Sequence, residues 1–538
     1  MKRYLGILLL CTLPVCGNAQ LDLNALKRQS DAKAQERKKE SSEFQSNRNA
    51  RWNEFLDTRS EEWAKIISNR DMEWSDLLSD SEWTVFDGFL TTKMPEKPKP
   101  VVVPRIETEP VSKPKPQPMV VPEPEVPKVP VVEPKPEPKP EPKPEIKPEP
   151  KPQPQPKPEE TQKPAPLPCK PAEAMPEGST VRFNFYGRDI AISYDPALKS
   201  YSSNRFKQKE ISDFWKTISA TNYTPTVTAL VDEKERIGLN DWGYYLLVSS
   251  FAERLYRDMN CSSLLTWFLL VRSGLDVRVG YNDAGVLLLL PSATTLFDMS
   301  YVVMDNNKYY VINKGNGSGV RTCPSSYADG RMLDFNQSRP LQLGGKNTVR
   351  SLSFEYKGKE YKMDFNYDAD LTEYYKALPM AQFEVFFSAA PSVQLQQSIV
   401  SNLKPIVQTM DKPTALNFLL RFVQLAFPYK TDPQQFGREK YFYADEVFHY
   451  PYCDCEDRSV LFSYLAHELM GYDVVGTEFP EHMATAVAVD YPVEGTKYTV
   501  GTRTYTVADP TYIRSSVGQC MSKYENTTPV IHKIDYSK

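Results

Sequence analysis

A proline-rich run in the first third of the chain constrains its folding more than any other feature. Of the 46 prolines among 538 residues, 27 lie between Met94 and Cys169, mostly in alternation with lysine and glutamate. Proline fixes φ and removes a backbone donor, so residues 94–168 are predicted to form an extended polyproline II spacer rather than a hydrophobic core. Folded material is therefore expected on either side of this spacer.

The first 19 residues have the pattern of a secretory signal peptide. A basic start, Lys2-Arg3, precedes a short apolar run, and Gly17-Asn18-Ala19 places small residues before a cleavage site at Gln20. A lipoprotein is the alternative, because Cys16 follows an apolar run, although Val15 is bulky where lipid attachment needs a small residue. The sequence predicts an exported protein, either periplasmic or secreted.

Charge and hydropathy exclude two classes of function. The chain has 65 basic and 69 acidic residues, a net charge of −4, which gives no basic footprint for nucleic acid. No stretch after the first twenty residues is apolar enough to span a bilayer. An oxidising compartment would permit disulfides among the six cysteines that follow the signal, and a Cys453–Cys520 pair is one possibility. These six are Cys169, Cys261, Cys323, Cys453, Cys455 and Cys520.

Residues 20–93 are polar, and they favour helix. Trp52, Trp63 and Trp74 recur at intervals of 11, each followed by an apolar pair three and four residues later. This period predicts a helix with one aromatic face, which Trp83 and Phe86 extend, and a slight right-handed supercoil. The face could pack on itself, on a second copy as a coiled coil, on the globular region, or on an envelope partner or membrane surface.

Globular sequence follows the spacer and divides into residues 177–400 and 401–538. The first region predicts a β-hairpin over residues 180–195, helices over 241–256 and after Cys261, and strands over 286–290 and 309–312. A similar order returns as helices over 413–427 and after Cys455, with strands near 484–489 and 505–507. This repeated order suggests the hypothesis that the first region is a degenerate duplicate of the second.

Three residues at predicted element boundaries suggest nucleophilic chemistry. Cys455 opens a predicted helix, whose free N–H groups favour a thiolate. His482, 27 residues later, begins a predicted strand, and Asp509, after another 27, ends the next strand. A histidine can take the thiol proton while an aspartate holds the second ring nitrogen. Each residue also has a structural interpretation, as a buried cysteine, a buried histidine and a turn-capping aspartate.

The Cys-Glu-Asp motif at 455–457, the strand-opening His482 and the Asp-Pro-Thr motif at 509–511 resemble the transglutaminase-like domain of the papain-like cysteine enzyme superfamily. The resemblance covers roughly residues 410–515. It implies an α+β fold with the cysteine helix on an antiparallel sheet, and an acyl-enzyme formed on a peptide or carboxamide carbonyl. It also implies that Cys455 is the nucleophile, His482 the general base and Asp509 its orienting group. The tryptophan that often follows the histidine in this family is absent here.

Supporting roles follow from the same alignment of motifs. The Cys455 N–H would contribute to an oxyanion hole with a second donor, for which Tyr450, Tyr452 and Gln435 are candidates. Arg458 is expected to form an ion pair on the helix surface, and Glu456 and Asp457 to stabilise the helix start. In the first region Cys261 remains, but Asp298 stands at the position expected for the histidine and Asn313 at that of the aspartate.

The sequence predicts no metal and no cofactor, since Cys453-x-Cys455 alone is a poor zinc signal. We expect an exported cysteine protease, amidase or acyltransferase that acts on a peptide or protein substrate. The alternative is a catalytically inactive transglutaminase-like module that binds peptides in the cell envelope.

Overall fold

The computed structural model describes residues 62–96, 99–106, 119–120, 179–327 and 330–535, with backbone only for 119–120. The signal peptide, Trp52, Cys169 and most of the spacer lie outside the described residues. The chain divides into two units, Met1–Ile66 and Ile67–Lys538, and every contact described below lies within the second unit.

Helix α1 covers residues 62–80. Side chains outside the helix donate hydrogen bonds to carbonyl groups of its last turn. The Trp83 indole donates to the Leu78 carbonyl at 3.0 Å, and the Gln208 amide donates to that of Ser79 at 2.8 Å. Leu78 and Trp83 are buried in the main core. The predicted helical continuation through Trp83 and Phe86 is therefore wrong, because the chain turns into a strand.

The N-terminal part of the second unit is built around a seven-stranded antiparallel sheet with helices packed on it. The predicted hairpin is confirmed as β4–β5, and both predicted helices are present as α4 and α5. The sheet order is β1-β10-β6-β7-β9-β8-β2. The elements are β1 (Thr84–Phe86), β2 (Leu90–Thr91), β4 (Thr180–Phe185), β5 (Arg188–Ser193), α2 (Gln208–Ser219), α3 (Thr224–Ile237), α4 (Asp241–Leu255), α5 (Met259–Arg272), β6 (Arg278–Asn282), β7 (Gly285–Ser292), β8 (Ser300–Met304), β9 (Asn307–Ile312) and β10 (Val320–Thr322).

The C-terminal part has a six-stranded sheet with the order β17-β13-β14-β16-β15-β3. A long hairpin, β11–β12, and helices α8, α9 and α12 share a second core with this sheet. The elements are β3 (Met119–Val120), β11 (Asn347–Tyr356), β12 (Lys359–Asp368), α6 (Leu371–Lys376), α7 (Phe383–Phe387), α8 (Val393–Val407), α9 (Lys412–Ala426), α10 (Asp432–Phe436), α11 (Ala444–His449), α12 (Cys455–Met470), β13 (Val474–Phe479), β14 (His482–Val487), β15 (Lys497–Val500), β16 (Arg503–Ala508) and β17 (Val530–Lys533).

The two sheets repeat one strand order. The strands can be counted from the helix that precedes each sheet, α5 or α12. Both sheets then have the order fifth, first, second, fourth, third, which is β10-β6-β7-β9-β8 in one and β17-β13-β14-β16-β15 in the other. In both halves a helix, α5 or α12, precedes the first strand and begins close to a cysteine. This shared order is what an internal duplication would leave behind.

The chain thus combines helices with sheets that are antiparallel apart from the two-residue pair β3–β15. The α+β class is confirmed at this coarse level. Among the described residues, no helix is both long enough and apolar enough to cross a bilayer.

Candidate active site

The start of α12 places Cys455 at the first helical position. Asp457, one turn into the helix, accepts the N–H groups of Asp454 at 3.1 Å and of Phe442 at 3.0 Å. A carboxyl at this helix position satisfies donors that the helix itself leaves open. These contacts agree with the predicted role of Asp457 at the helix start. They also hold the backbone that carries the Cys455 thiol.

His482 begins β14 directly after a two-residue turn from β13. Its Nε2 lies 2.8 Å from Asp509 Oδ2. The other Asp509 oxygen accepts the N–H groups of Thr511 at 2.9 Å and Tyr512 at 3.0 Å. A carboxylate so engaged can only accept, so Nε2 carries the hydrogen and Nδ1 presents its lone pair. Nδ1 is buried and has no hydrogen-bond partner among the residues that the structure describes, which is the arrangement that a general base requires.

Two aromatic rings fix the plane of the His482 imidazole. Tyr524 lies parallel to it with centroids 5.8 Å apart, and Phe479 stacks on Tyr524 at 4.5 Å. Sequence reasoning missed Tyr524, because it lies 42 residues after the histidine on a short 3₁₀ turn with no motif around it. It gives the His482 ring an aromatic neighbour.

Cys455 and His482 line the same small cavity. The cavity has a volume of about 20 Å³, room for about one water molecule. Ser459, one turn after the cysteine, donates to the Cys455 carbonyl at 2.8 Å and lies 3.3 Å from the carbonyl of Met483 on β14. This contact ties the cysteine helix to the histidine strand, so that Cys455 and His482 line one cavity, and Asp509 is joined to it through His482.

The Cys455 thiol is in a protonated state. Its Sγ lies 3.1 Å from Glu456 Oε2 and donates to that carboxylate. Burial, together with the charges of Glu456 and Asp454, raises the pKa of Cys455 well above that of an ordinary thiol, although Lys99 opposes them. In this conformation the sulfur is therefore a hydrogen-bond donor and not a nucleophile.

Lys99 is a site residue that sequence reasoning did not find. Its Nζ lies 2.7 Å from Glu439, 2.8 Å from Asp454 and 3.4 Å from Asp432, and it also pairs with Glu456. Its side chain is only 6% exposed. This lysine belongs to the predicted spacer, where we expected no packing, and it is one of many lysines there. Prolines disfavour long helices and strands, but an extended segment can still lie across a folded surface, and Met119–Val120 of the same predicted spacer pairs with β15.

Two supporting predictions are wrong. Tyr450, Tyr452 and Gln435 do not line the cavity of Cys455 and His482, whereas Tyr441 does. Arg458 forms no surface ion pair: it is 1% exposed, donates to the Phe427 carbonyl and lies over the ring of Tyr429. The helix turns this side chain into the core, where a backbone carbonyl replaces the expected carboxylate. Arg458 also lines a separate cleft of about 720 Å³, and none of the three catalytic candidates is among the residues that line this cleft.

The structure also bears on disulfides and metals. Cys261, Cys323, Cys453, Cys455 and Cys520 are all free thiols, so the Cys453–Cys520 disulfide is absent. Within the described residues, acidic groups around Cys455 approach closely enough to hold an ion, but Lys99 lies among the same carboxylates. Lys99 therefore supplies one positive charge among these acidic groups.

The corresponding region of the first half lacks a base. β7 and β14 are each the second strand after the cysteine helix, and they begin at Gly285 and His482. Gly285 therefore corresponds in position to His482, and the expected correspondence of Asp298 to His482 is wrong. Asn313 follows β9 as Asp509 follows β16, and it donates to Ser263 at 3.0 Å. Burial and Asp258 raise the pKa of Cys261 to about 12. All four histidines of the chain lie after residue 400, so no histidine of this first half can activate the thiol.

Comparison with models of known protein families, with curated proteins and with solved structures gave no significant match. Arguments about function therefore rest on the geometry of the site and on the sequence motifs.

Proposed function

We propose that the protein is an exported cysteine hydrolase or acyltransferase of the transglutaminase-like type, acting on peptide, isopeptide or carboxamide carbonyls. The single observation that carries this proposal is the His482 ring. It is held by Asp509 through Nε2, its Nδ1 is unpartnered, and it faces the same cavity as Cys455.

The proposed reaction uses this chain's residues in two stages. His482 Nδ1 takes the proton from Cys455 Sγ, and the thiolate attacks the carbonyl carbon of the substrate. The C–N bond breaks as the imidazolium returns that proton to the leaving amine, and a thioester forms on Cys455. Water, or a second amine, then attacks the thioester and releases the thiol. Asp509 keeps the ring in the tautomer that can accept the proton.

A test needs only a small activated ester. We expect p-nitrophenyl acetate to acylate Cys455, detected by intact mass and peptide mapping, with release of one equivalent of p-nitrophenolate. Replacement of His482 by alanine removes the general base and is expected to slow acylation by about 10²–10⁴-fold. Cys520, a half-buried thiol outside this cavity, provides the internal control for non-specific acylation.

The second candidate is a non-catalytic peptide-binding module in the envelope. The protonated, buried state of Cys455 beside Glu456 favours it. It predicts that every cysteine acylates slowly, and that His482→Ala changes nothing.

A further inference from the structure

Four buried carboxylates beside Cys455 form a pocket, here called the ammonium pocket, which consists of Asp432, Glu439, Asp454 and Glu456. The four are between 0% and 8% exposed. Their oxygens surround a single atom, Lys99 Nζ. Within the described part of the chain, Asp454 Oδ1 is buried and has no hydrogen-bond partner, so the pocket retains an unused acceptor atom.

The occupant of this pocket comes from an extended segment that spans the site. Pro95 and Lys99 line the cavity that contains Cys455 and His482. Further along, the Ile106 N–H donates to the Ile513 carbonyl at 3.1 Å, and the Ile513 N–H donates to the Pro104 carbonyl at 2.8 Å. The described residues of this segment therefore line the cavity of Cys455 and also contact the loop that follows Asp509.

The charges of the pocket call for a cation. Burial and neighbouring acids raise the pKa values of Asp432 and Asp454 even though Lys99 opposes them, so burial of ionised carboxylates here is costly and any nearby positive charge reduces that cost. Burial alone would lower the pKa of Lys99, but Glu456 and Asp454 outweigh it and raise that pKa well above its ordinary value. The bound amine is thus a firmly protonated ammonium. It is recognised as a charge and does not act as a nucleophile.

We propose that the ammonium pocket recognises a primary ammonium at the end of an alkyl chain on the substrate, and that Lys99 occupies it as an internal substitute which must leave before such a substrate binds. This inference rests on the proposed function, since it places a lysine-type side chain of the substrate beside the carbonyl that Cys455 attacks. The same segment would keep the enzyme closed until it is displaced.

The test compares two activated esters on the full chain. The p-nitrophenyl esters of Nα-acetyl-lysine and Nα-acetyl-norleucine have side chains of similar length but differ in charge. Acylation of Cys455 is measured in wild type, Lys99→Ala and a control, Lys93→Ala, whose partner Asp298 is exposed. In Lys99→Ala we expect the lysine ester to react about tenfold faster than the norleucine ester. In wild type and Lys93→Ala we expect both to react slowly and alike.

A second measurement does not require turnover. Lys99→Ala leaves buried carboxylates without a counter-charge, so we expect n-butylammonium to raise its Tm by about 2 °C or more and to leave wild type and Lys93→Ala unchanged. If the alanine variant does not fold, Lys99→Gln, which keeps a polar stem, carries the same comparison.

Two results would overturn the proposal. One is equal or better reaction of the norleucine ester in Lys99→Ala. The other is stabilisation of that variant by Mg²⁺ and not by n-butylammonium, which would make the pocket a metal site. Absence of any acylation at Cys455, with n-butylammonium still stabilising Lys99→Ala, would contradict the proposed function while supporting the pocket.

Discussion

At the scale of single residues, the site depends on which ring nitrogen of His482 carries the hydrogen. Asp509 decides this, because one of its oxygens is already committed to two backbone N–H groups and the other faces Nε2. The tautomer is therefore fixed by the loop after β16 and not by the histidine itself.

Asp509→Asn tests that dependence. The backbone N–H groups of Thr511 and Tyr512 hold the amide oxygen, so the amide NH₂ faces the imidazole and forces Nε2 to accept. Nδ1 then carries the hydrogen and can no longer take the thiol proton. We expect about a 10- to 100-fold slower acylation of Cys455 by p-nitrophenyl acetate, with little change in Tm. Unchanged acylation would mean that Asp509 has only a structural role.

The pH dependence of Cys455 labelling follows from its raised pKa. Only the thiolate reacts, and burial, Glu456 and Asp454 raise the pKa above the ordinary value near 9. We expect the rate of iodoacetamide labelling in wild type to keep increasing as the pH rises beyond 9, as followed by peptide mass spectrometry. A rate that is already constant from pH 6 to 8 would show a preformed thiolate and contradict the closed state described here.

At the scale of elements, the sequence predicted the boundaries on which the chemistry depends. Cys455 at a helix start and His482 at a strand start were evident from apolar periodicity and from the turn before the strand, and the structure has both. Contacts between elements were not evident. The stacking of Tyr524 and the burial of Lys99 result from long-range packing, for which composition and spacing give no signal.

The N-terminus of α12 offers a test at this scale. Asp457→Ala removes the acceptor for the N–H groups of Asp454 and Phe442, both buried, and we expect a loss of about 1–3 kcal/mol in the free energy of unfolding. Burial and nearby acids raise the pKa of Asp457, so the uncharged Asp457→Asn, which retains an acceptor oxygen, is the matched control and is expected to cost less. Urea unfolding of the three proteins measures the difference, and equal losses would contradict this role.

At the scale of the whole molecule, two sheets share one strand order, yet all four histidines lie in the second half, where His482 pairs with Asp509 and lines the cavity of Cys455. The sequence suggested this repetition, but it misaligned the histidine position, because loop lengths differ between the halves and only strand pairing reveals which residues correspond. The proposed chemistry therefore lies in the second half, and we expect the first half to be structural support.

Paired serine variants test that division. Cys261→Ser is expected to leave the acylation rate within about twofold of wild type, since that thiol is buried and its pKa is raised to about 12. Cys455→Ser is expected to abolish acylation in the same assay. Loss of activity in Cys261→Ser with an unchanged Tm would show that the first half takes part in the reaction.

The most direct test of the central claim is the mass of the protein after reaction with p-nitrophenyl acetate in the Lys99→Ala background, with and without His482→Ala. We predict one acetyl group, mapped to Cys455, that forms rapidly when His482 is present and about 10²–10⁴-fold more slowly when it is replaced by alanine. Equal acetylation with and without His482, or acetyl groups spread over several cysteines, would contradict it.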